Sequence, residues 1–254
     1  MEKQYLTLPL EDLPDKVILK ILCNLQIPDL IRCGQVSKRI REISNDETLW
    51  QKINLFNKKV PKGFLSRVLD TNCKYLSLNE AKLGDPFSKT CETLELNKKS
   101  KLIYLDLSWC KSTVEDIEEI LSSCHMLEKL SLAGIPSLAD LKLTSNMIDS
   151  ICTQNGQTLQ SLNLNFCNGL DLESVKQILQ KCVKLKEVNF GDTHLTEATE
   201  SYLAENLPSW VEKLDLSSLN FNDQYIRLVH GNCPRYCGLR SCRFHLNIVK
   251  EKIP

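Results

Sequence analysis

Two apolar periods alternate along most of this chain. Around residues 104–108 the period is two: Leu105 and Leu107 face one side of a short strand, and Tyr104, Asp106 and Ser108 face the other. The spacing then lengthens. Val114, Ile117, Ile120 and Leu121 predict a helix over 114–124 with one apolar stripe. The same pair of periods returns at Leu162 and Leu164, followed by a helix over 174–182 built on Val175, Ile178 and Leu179. One strand and one helix cannot bury such faces alone, so the units are expected to stack into a continuous core.

The strand segments share the phrase L-x-x-L-x-L. It starts at Leu102, Leu127, Leu159, Leu185 and Val211, with weaker copies at Cys73 and Leu239, and successive starts lie 25 to 32 residues apart. Two copies, Leu102 to Cys110 and Leu159 to Cys167, extend to L-x-x-L-x-L-x-x-C. Period and phrase together resemble the leucine-rich repeat, in its cysteine-containing class. That resemblance implies an α/β fold: a curved solenoid with a parallel sheet on its concave side and a surface for binding proteins. The polar positions between the paired apolar residues, Ser77, Asp106, Ser131, Asn163, Asn189, Asp215 and Arg243, predict a column on that inner face. Beside it stand larger side chains, Tyr75, Tyr104, Trp109 and Phe166. The candidate binding face is Tyr104, Asp106, Trp109, Asn163, Phe166, Asn189 and Asp215. Strands lie ~4.8 Å apart, so Trp109 and Phe166, two repeats apart, are expected on strands ~10 Å from each other. They are either an exposed binding pair or rings packed on neighbouring loops.

The first 55 residues follow another pattern. Val17, Ile18, Ile21, Leu22 and Leu25 form a single stripe, with Asp12 as a candidate helix cap and Pro14 suited to the first turn. Pro28 opens a second short helix limited by Gly34, Val36 to Ile43 forms a third, and Asp46 caps a last turn delivering Leu49 and Trp50 inward. So small a unit has too little interior for its apolar surface and is expected to dock on a partner. The run Leu13-Pro14-Asp15, Pro28-Asp29-Leu30, Lys38-Arg39 and Asp46 to Gln51 resembles the F-box, the alternative being a plain helical cap for the solenoid.

An F-box followed by leucine-rich repeats is similar to the substrate receptors of SCF-type cullin–RING ubiquitin ligases. The resemblance implies that Leu13, Pro14, Ile18, Ile21, Leu22, Leu25, Pro28, Leu30, Val36 and Trp50 bind the SCF adaptor protein, and through it the cullin and RING subunits. It implies a protein substrate, phosphorylated or not, with cell-cycle regulators as a suggested class, and a small cyclin-kinase accessory subunit as an optional partner. It also implies a nuclear and cytoplasmic protein that is not itself an enzyme. The alternatives are a pure interaction scaffold and a truncated decoy that occupies the adaptor. The expected division is 10–55 F-box, 56–72 linker and cap, 73–247 about seven repeats with the last incomplete, and 248–254 tail.

Composition narrows the picture. Lysine plus arginine and aspartate plus glutamate each number 32, and the formal net charge of zero argues against a protein built to hold nucleic acid. No apolar run reaches the roughly 18 residues of a membrane span, and Met1 to Leu10 lacks a signal-peptide core, so an intracellular protein is expected. Most of the 12 cysteines fall at repeat positions and read as buried free thiols. His230, Cys233, Cys237, Cys242 and His245 have the ligand chemistry of zinc but not the spacing of a finger, so no metal and no cofactor is expected. No phosphate loop or nucleophile elbow is present in the sequence. Arg235, Arg240, Arg243, Lys250 and Lys252 make the end basic, as a solvated terminus or an attraction for acidic partners.

Overall fold

The structure, a computed structural model, describes residues 9–84, 100–136, 143–219, 227–229 and 237–238. It begins with helices α1 (Asp15–Leu22), α2 (Ile27–Cys33) and α3 (Lys38–Ser44). Asp12 does not cap α1. It closes a separate 3-10 turn, Leu10–Asp12, and Pro14 stands at the cap position of α1 with its restricted φ of −58°. Gly34 ends α2 with an ordinary helical φ. What demands glycine is room: a Cβ there would lie 2.7 Å from Ser44 Oγ at the end of α3. Ser37 caps α3 by accepting from the Ile40 N–H at 3.2 Å, and Asp46 accepts from the Thr48 N–H at 2.9 Å to open the 3-10 turn Glu47–Trp50. Ile18, Leu22, Ile27, Leu30, Ile40 and Leu49 close the core between these pieces.

The repeats follow as β1 (Lys52–Asn54), β2 (Lys59–Val60), α4 (Lys62–Leu69), β3 (Tyr75–Ser77), β4 (Lys82–Leu83), β5 (Tyr104–Asp106), α5 (Val114–Ser123), β6 (Lys129–Ser131), α6 (Ser145–Asp149), β7 (Ser161–Asn163), α7 (Leu172–Lys181), β8 (Glu187–Asn189), α8 (Glu197–Asn206), β9 (Lys213–Asp215) and β10 (Cys237–Gly238). A π-helical turn, Ser150–Gln154, continues α6. The main sheet runs β1-β3-β5-β6-β7-β8-β9-β10, with every pairing parallel, so the chain is α/β with the helices as crossovers. Leu76, Leu105, Leu130, Leu162, Val188 and Leu214 align in one register row, and all are buried. A second buried row follows two residues on, from Leu78 and Leu107 to Phe190 and Leu216.

The sheet begins and ends elsewhere than the repeat phrase suggested. It starts at Lys52, inside the stretch assigned to the helical module, because Trp50-x-x-Ile53-x-Leu55 is itself a copy of the phrase with tryptophan in first place. At the other end β10 pairs Cys237 with Leu214 and Gly238 with Asp215, five residues ahead of the Cys242 and Arg243 expected in those places. Arg243 and the basic terminus lie outside the described residues, as do His230, Cys233, Cys242 and His245.

Neighbouring repeats are also joined by a buried side chain. Asn155 Nδ2 donates to the carbonyls of Cys124 (2.9 Å) and Ser150 (2.8 Å), and Oδ1 accepts from the Leu127 N–H at 2.9 Å. Three backbone groups that the repeat geometry leaves inside the stack are thereby satisfied.

Candidate functional site

The polar column forms in register: Asn54, Ser77, Asp106, Ser131, Asn163, Asn189 and Asp215 lie side by side across successive strands. Most of these side chains also have backbone work. An oxygen of Asn54, Asp106, Asn163, Asn189 or Asp215 accepts from the N–H two residues on, at Phe56, Ser108, Asn165, Gly191 and Ser217 respectively, over 2.7 to 3.1 Å. Each bond is an Asx turn that bends the chain out of its strand. Three residues after each column position comes a left-handed residue: Asn57, Glu80, Trp109, Gly134, Phe166, Asp192 and Ser218, with φ between 51° and 66°. Their N–H groups extend the ladder beyond the strands, as from Trp109 to the Ala133 carbonyl at 2.8 Å and from Phe166 to the Gly191 carbonyl at 3.2 Å. The ladder holds a conformation that costs an L-residue roughly 1–2 kcal/mol.

Two of these strained positions carry large aromatics. The Trp109 and Phe166 rings touch, with centroids 5.5 Å apart and planes at 51°, and they remain 47% and 44% exposed. The ~10 Å of strand separation is spanned because the intervening position is Gly134. A Cβ there would lie 2.5 Å from Trp109 Cε2, so the indole lies across the bare glycine to reach Phe166. The pair is a solvent-facing aromatic platform on the rim of the sheet.

The remaining candidates fall in two groups. Tyr104 stacks against Tyr75 with centroids 6.4 Å apart, and Lys52 Nζ lies 5.2 Å from the Tyr75 ring centre. Burial and the nearby Asp106 carboxylate push the Tyr104 phenol up from its ordinary value. Ser77 Oγ and Asn79 Nδ2 donate to Asp106 at 3.4 and 3.5 Å. Asn163, Asn189 and Asp215 line a shallow cavity of about 250 Å³ together with Glu187 and Lys213. Those last two are ion-paired, and the Lys213 ammonium holds the Glu187 carboxyl below its usual range.

On the helical module the ten residues implied by resemblance separate by burial. Ile18, Leu22 and Leu30 are core residues sealed by the module's own helices, so they hold the surface up rather than form it. Leu13, Leu25 and Trp50 are partly buried against that core, with Trp50 Nε1 donating to the Ser44 carbonyl at 2.8 Å. Pro14, Ile21, Pro28 and Val36 are exposed. Val17 and Ile31, outside those ten, are exposed as well, at 42% and 40%. Val17, Ile21 and Leu25, with Lys16, Lys20 and Asn24, line one apolar groove along α1. The signal was available: the α1 stripe is too wide for one buried face, and its second edge is Val17 and Ile21.

Most described repeat cysteines are buried, and a hydrogen bond from the Cys152 thiol holds Cys182 below its ordinary value. Eight of the described cysteines, from Cys23 to Cys182, are free thiols, and burial pushes Cys73 up to about 11 and Cys110, Cys124 and Cys167 to about 12, so these four stay protonated at neutral pH. Cys167 Sγ instead donates to the Leu132 carbonyl of the preceding repeat at 3.2 Å.

A small helical module joined to a parallel repeat sheet is the architecture of the F-box and leucine-rich-repeat class. The family described as F-box-like matches residues 10–55, and the family described as the SKP2 LRR domain matches residues 63–241. The chain belongs to the F-box/leucine-rich-repeat family, with repeats of the SKP2 type. It is 24% identical to F-box/LRR-repeat protein 5 of Salmo salar, over 85% of this chain and 28% of that protein. It is 23% identical to EEED8.10 of Caenorhabditis elegans, whose name calls it an RNA-binding protein, over 78% of this chain and 31% of that one. The chain thus spans less than a third of the length of these curated relatives.

Proposed function

We propose that this chain is the substrate-recognition subunit of an SCF-type cullin–RING ubiquitin ligase, acting in the nucleus and cytoplasm without chemistry of its own. The observation that carries the reading is the apolar groove of Val17, Ile21 and Leu25, left open on a module whose own core is already closed. Exposed apolar surface of that kind calls for a partner. In this reading Pro14, Val17, Ile21, Pro28, Ile31 and Val36 meet the adaptor, and cullin and RING subunits follow through it. The sheet holds a protein substrate, with Trp109 and Phe166 as the centre of the contact and Tyr104, Asp106, Asn163, Asn189 and Asp215 as its polar surround. The contribution to ubiquitin transfer is proximity: a held substrate replaces a chance encounter. A cell-cycle regulator, with or without phosphorylation, is the substrate class to try first, alone and with a small cyclin-kinase accessory subunit.

The test is co-purification with the adaptor, followed by cullin recruitment and ubiquitylation of captured proteins. The double variant Val17→Glu with Ile21→Glu is expected to lose the adaptor while keeping the wild-type circular dichroism spectrum. Equal binding by that variant overturns the reading. Adaptor binding without cullin recruitment or ubiquitylation marks a scaffold. A chain that assembles with cullin but captures no substrate is a decoy.

A further inference from the structure

Beyond the left-handed residues the chain builds a second, smaller ladder. β2 pairs in parallel with β4, setting Lys59 opposite Lys82 and Val60 opposite Leu83, and Lys82 bridges in turn to Lys111. The two apolar members are buried, so register is fixed by the core and the lysines are stacked as a consequence. Three like charges one strand spacing apart repel one another unless something negative lies across them. Among the described residues none of the three forms an ion pair.

A fourth lysine is already spent. Lys62 reaches Asp116 at 2.7 Å, both largely buried, and Asp116 also closes the capping box that starts α5. The helix end and Lys62 are therefore satisfied from within, and hydrogen bonds from its own backbone N–H and the Thr113 side chain, with a lesser pull from Lys62, hold the Glu115 carboxyl below its ordinary value. Lys82 and Lys111 are not satisfied, and they border a cavity of about 270 Å³ whose lining includes Lys62, Ser112, Thr113 and Asp116. Ser112 Oγ is buried beneath the cavity floor, beside the Cys110 thiol.

We infer that this lysine ladder and its cavity bind a phosphoryl group carried on an exposed segment of a partner protein. Two ammonium groups at the mouth of one cavity suit a small group with several acceptor oxygens, and lysine binds phosphate as a point charge. The cavity is smaller than the roughly 300 Å³ at which ligand pockets begin, so it admits a phosphoryl group and not a nucleotide. Lys59 prolongs the ladder along the same flank, a track for acidic residues beside the phosphorylated one. The site is separate from the aromatic rim and does not rest on the ligase reading.

The test uses the full chain and four probes: a fluorescent phosphoserine peptide followed by two glutamates, its unphosphorylated twin, inorganic phosphate as competitor, and vesicles containing phosphatidylinositol phosphate. Anisotropy is expected to give at least tenfold tighter binding of the phosphopeptide than of its twin, reversed by inorganic phosphate. Lys82→Glu with Lys111→Glu is expected to weaken binding at least tenfold. Lys176→Glu with Lys181→Glu, the same charge change on α7, is expected to change it less than twofold. Lys82→Gln with Lys111→Gln guards against misfolding of the reversed pair, with circular dichroism checked for each. Equal loss from both reversed pairs, equal affinity for the two peptides, or preferential binding to vesicles containing phosphatidylinositol phosphate overturns the proposal.

Discussion

In the helical module, three short helices close a core around Ile18, Leu30 and Ile40 and still leave Val17, Ile21 and Val36 in solvent, the last 75% exposed. In the repeats each unit contributes one or two buried rows and has no interior until its neighbours are in place. The module therefore carries more apolar surface than its fold can use, and the stack carries what its fold needs plus a few side chains held outside it. The proposed partner surface on the module is surplus hydrophobicity. The one proposed on the repeats is built from backbone, by Asx turns and left-handed residues that lift Trp109 and Phe166 away from the core.

Substitutions can break that contrast. The largest effect is expected at the centre of the stack: Leu105→Ala removes a fully buried row member and is expected to cost about 2–5 kcal/mol in urea unfolding. A loss under about 1 kcal/mol would mean the rows are not close-packed. Asn155→Leu strands three buried backbone groups, and a loss of about 2–4 kcal/mol is expected despite the gain in apolar area. Gly134→Ala forces a side chain into a φ of +60° and against the Trp109 indole. A loss of about 1–2 kcal/mol is expected, with a shift in tryptophan fluorescence as the ring leaves Phe166. On the module, Ile21→Glu is expected to leave stability within about 0.5 kcal/mol while abolishing adaptor binding, whereas Ile18→Ala lowers stability itself.

The smallest effect concerns pH. Hydrogen bonds from the Thr48 side chain and backbone hold the exposed Asp46 carboxyl below its ordinary value. Because the folded value is depressed, the contribution is present above the ordinary aspartate value and is lost as pH falls through the lower folded one. An NMR titration of Asp46 is expected to show the shift reduced but not lost in Thr48→Ala, because the backbone N–H of residue 48 still donates. A contribution that grew on acidification would contradict the cap.

Much of this was legible before any coordinates. Register follows from a period of two with one buried face, so the alignment of Ser77, Asp106, Asn163, Asn189 and Asp215 could be written down from the phrase. The cysteine positions were legible for the same reason, since a small apolar residue at a fixed place in each repeat is a packing requirement. Less legible was the split of the α1 stripe into Ile18 and Leu22 inside and Val17 and Ile21 outside, because both halves have the same composition and only the placement of α2 and α3 decides which is covered. The first strand hid behind Trp50, which does duty in both the module and the repeat phrase.

By itself, then, the sequence determined the repeat, its register and the presence of two apolar programmes, because spacing along a chain fixes which side chains share a face. Only the tertiary structure decided that Trp109 meets Phe166 across a bare Gly134, that Asn155 ties two repeats together, and that Lys59, Lys82 and Lys111 stack without counter-charges among the described residues. Those relations join residues more than 20 positions apart. Local period carries no information about them, and they exist only once the stack has set one repeat against the next.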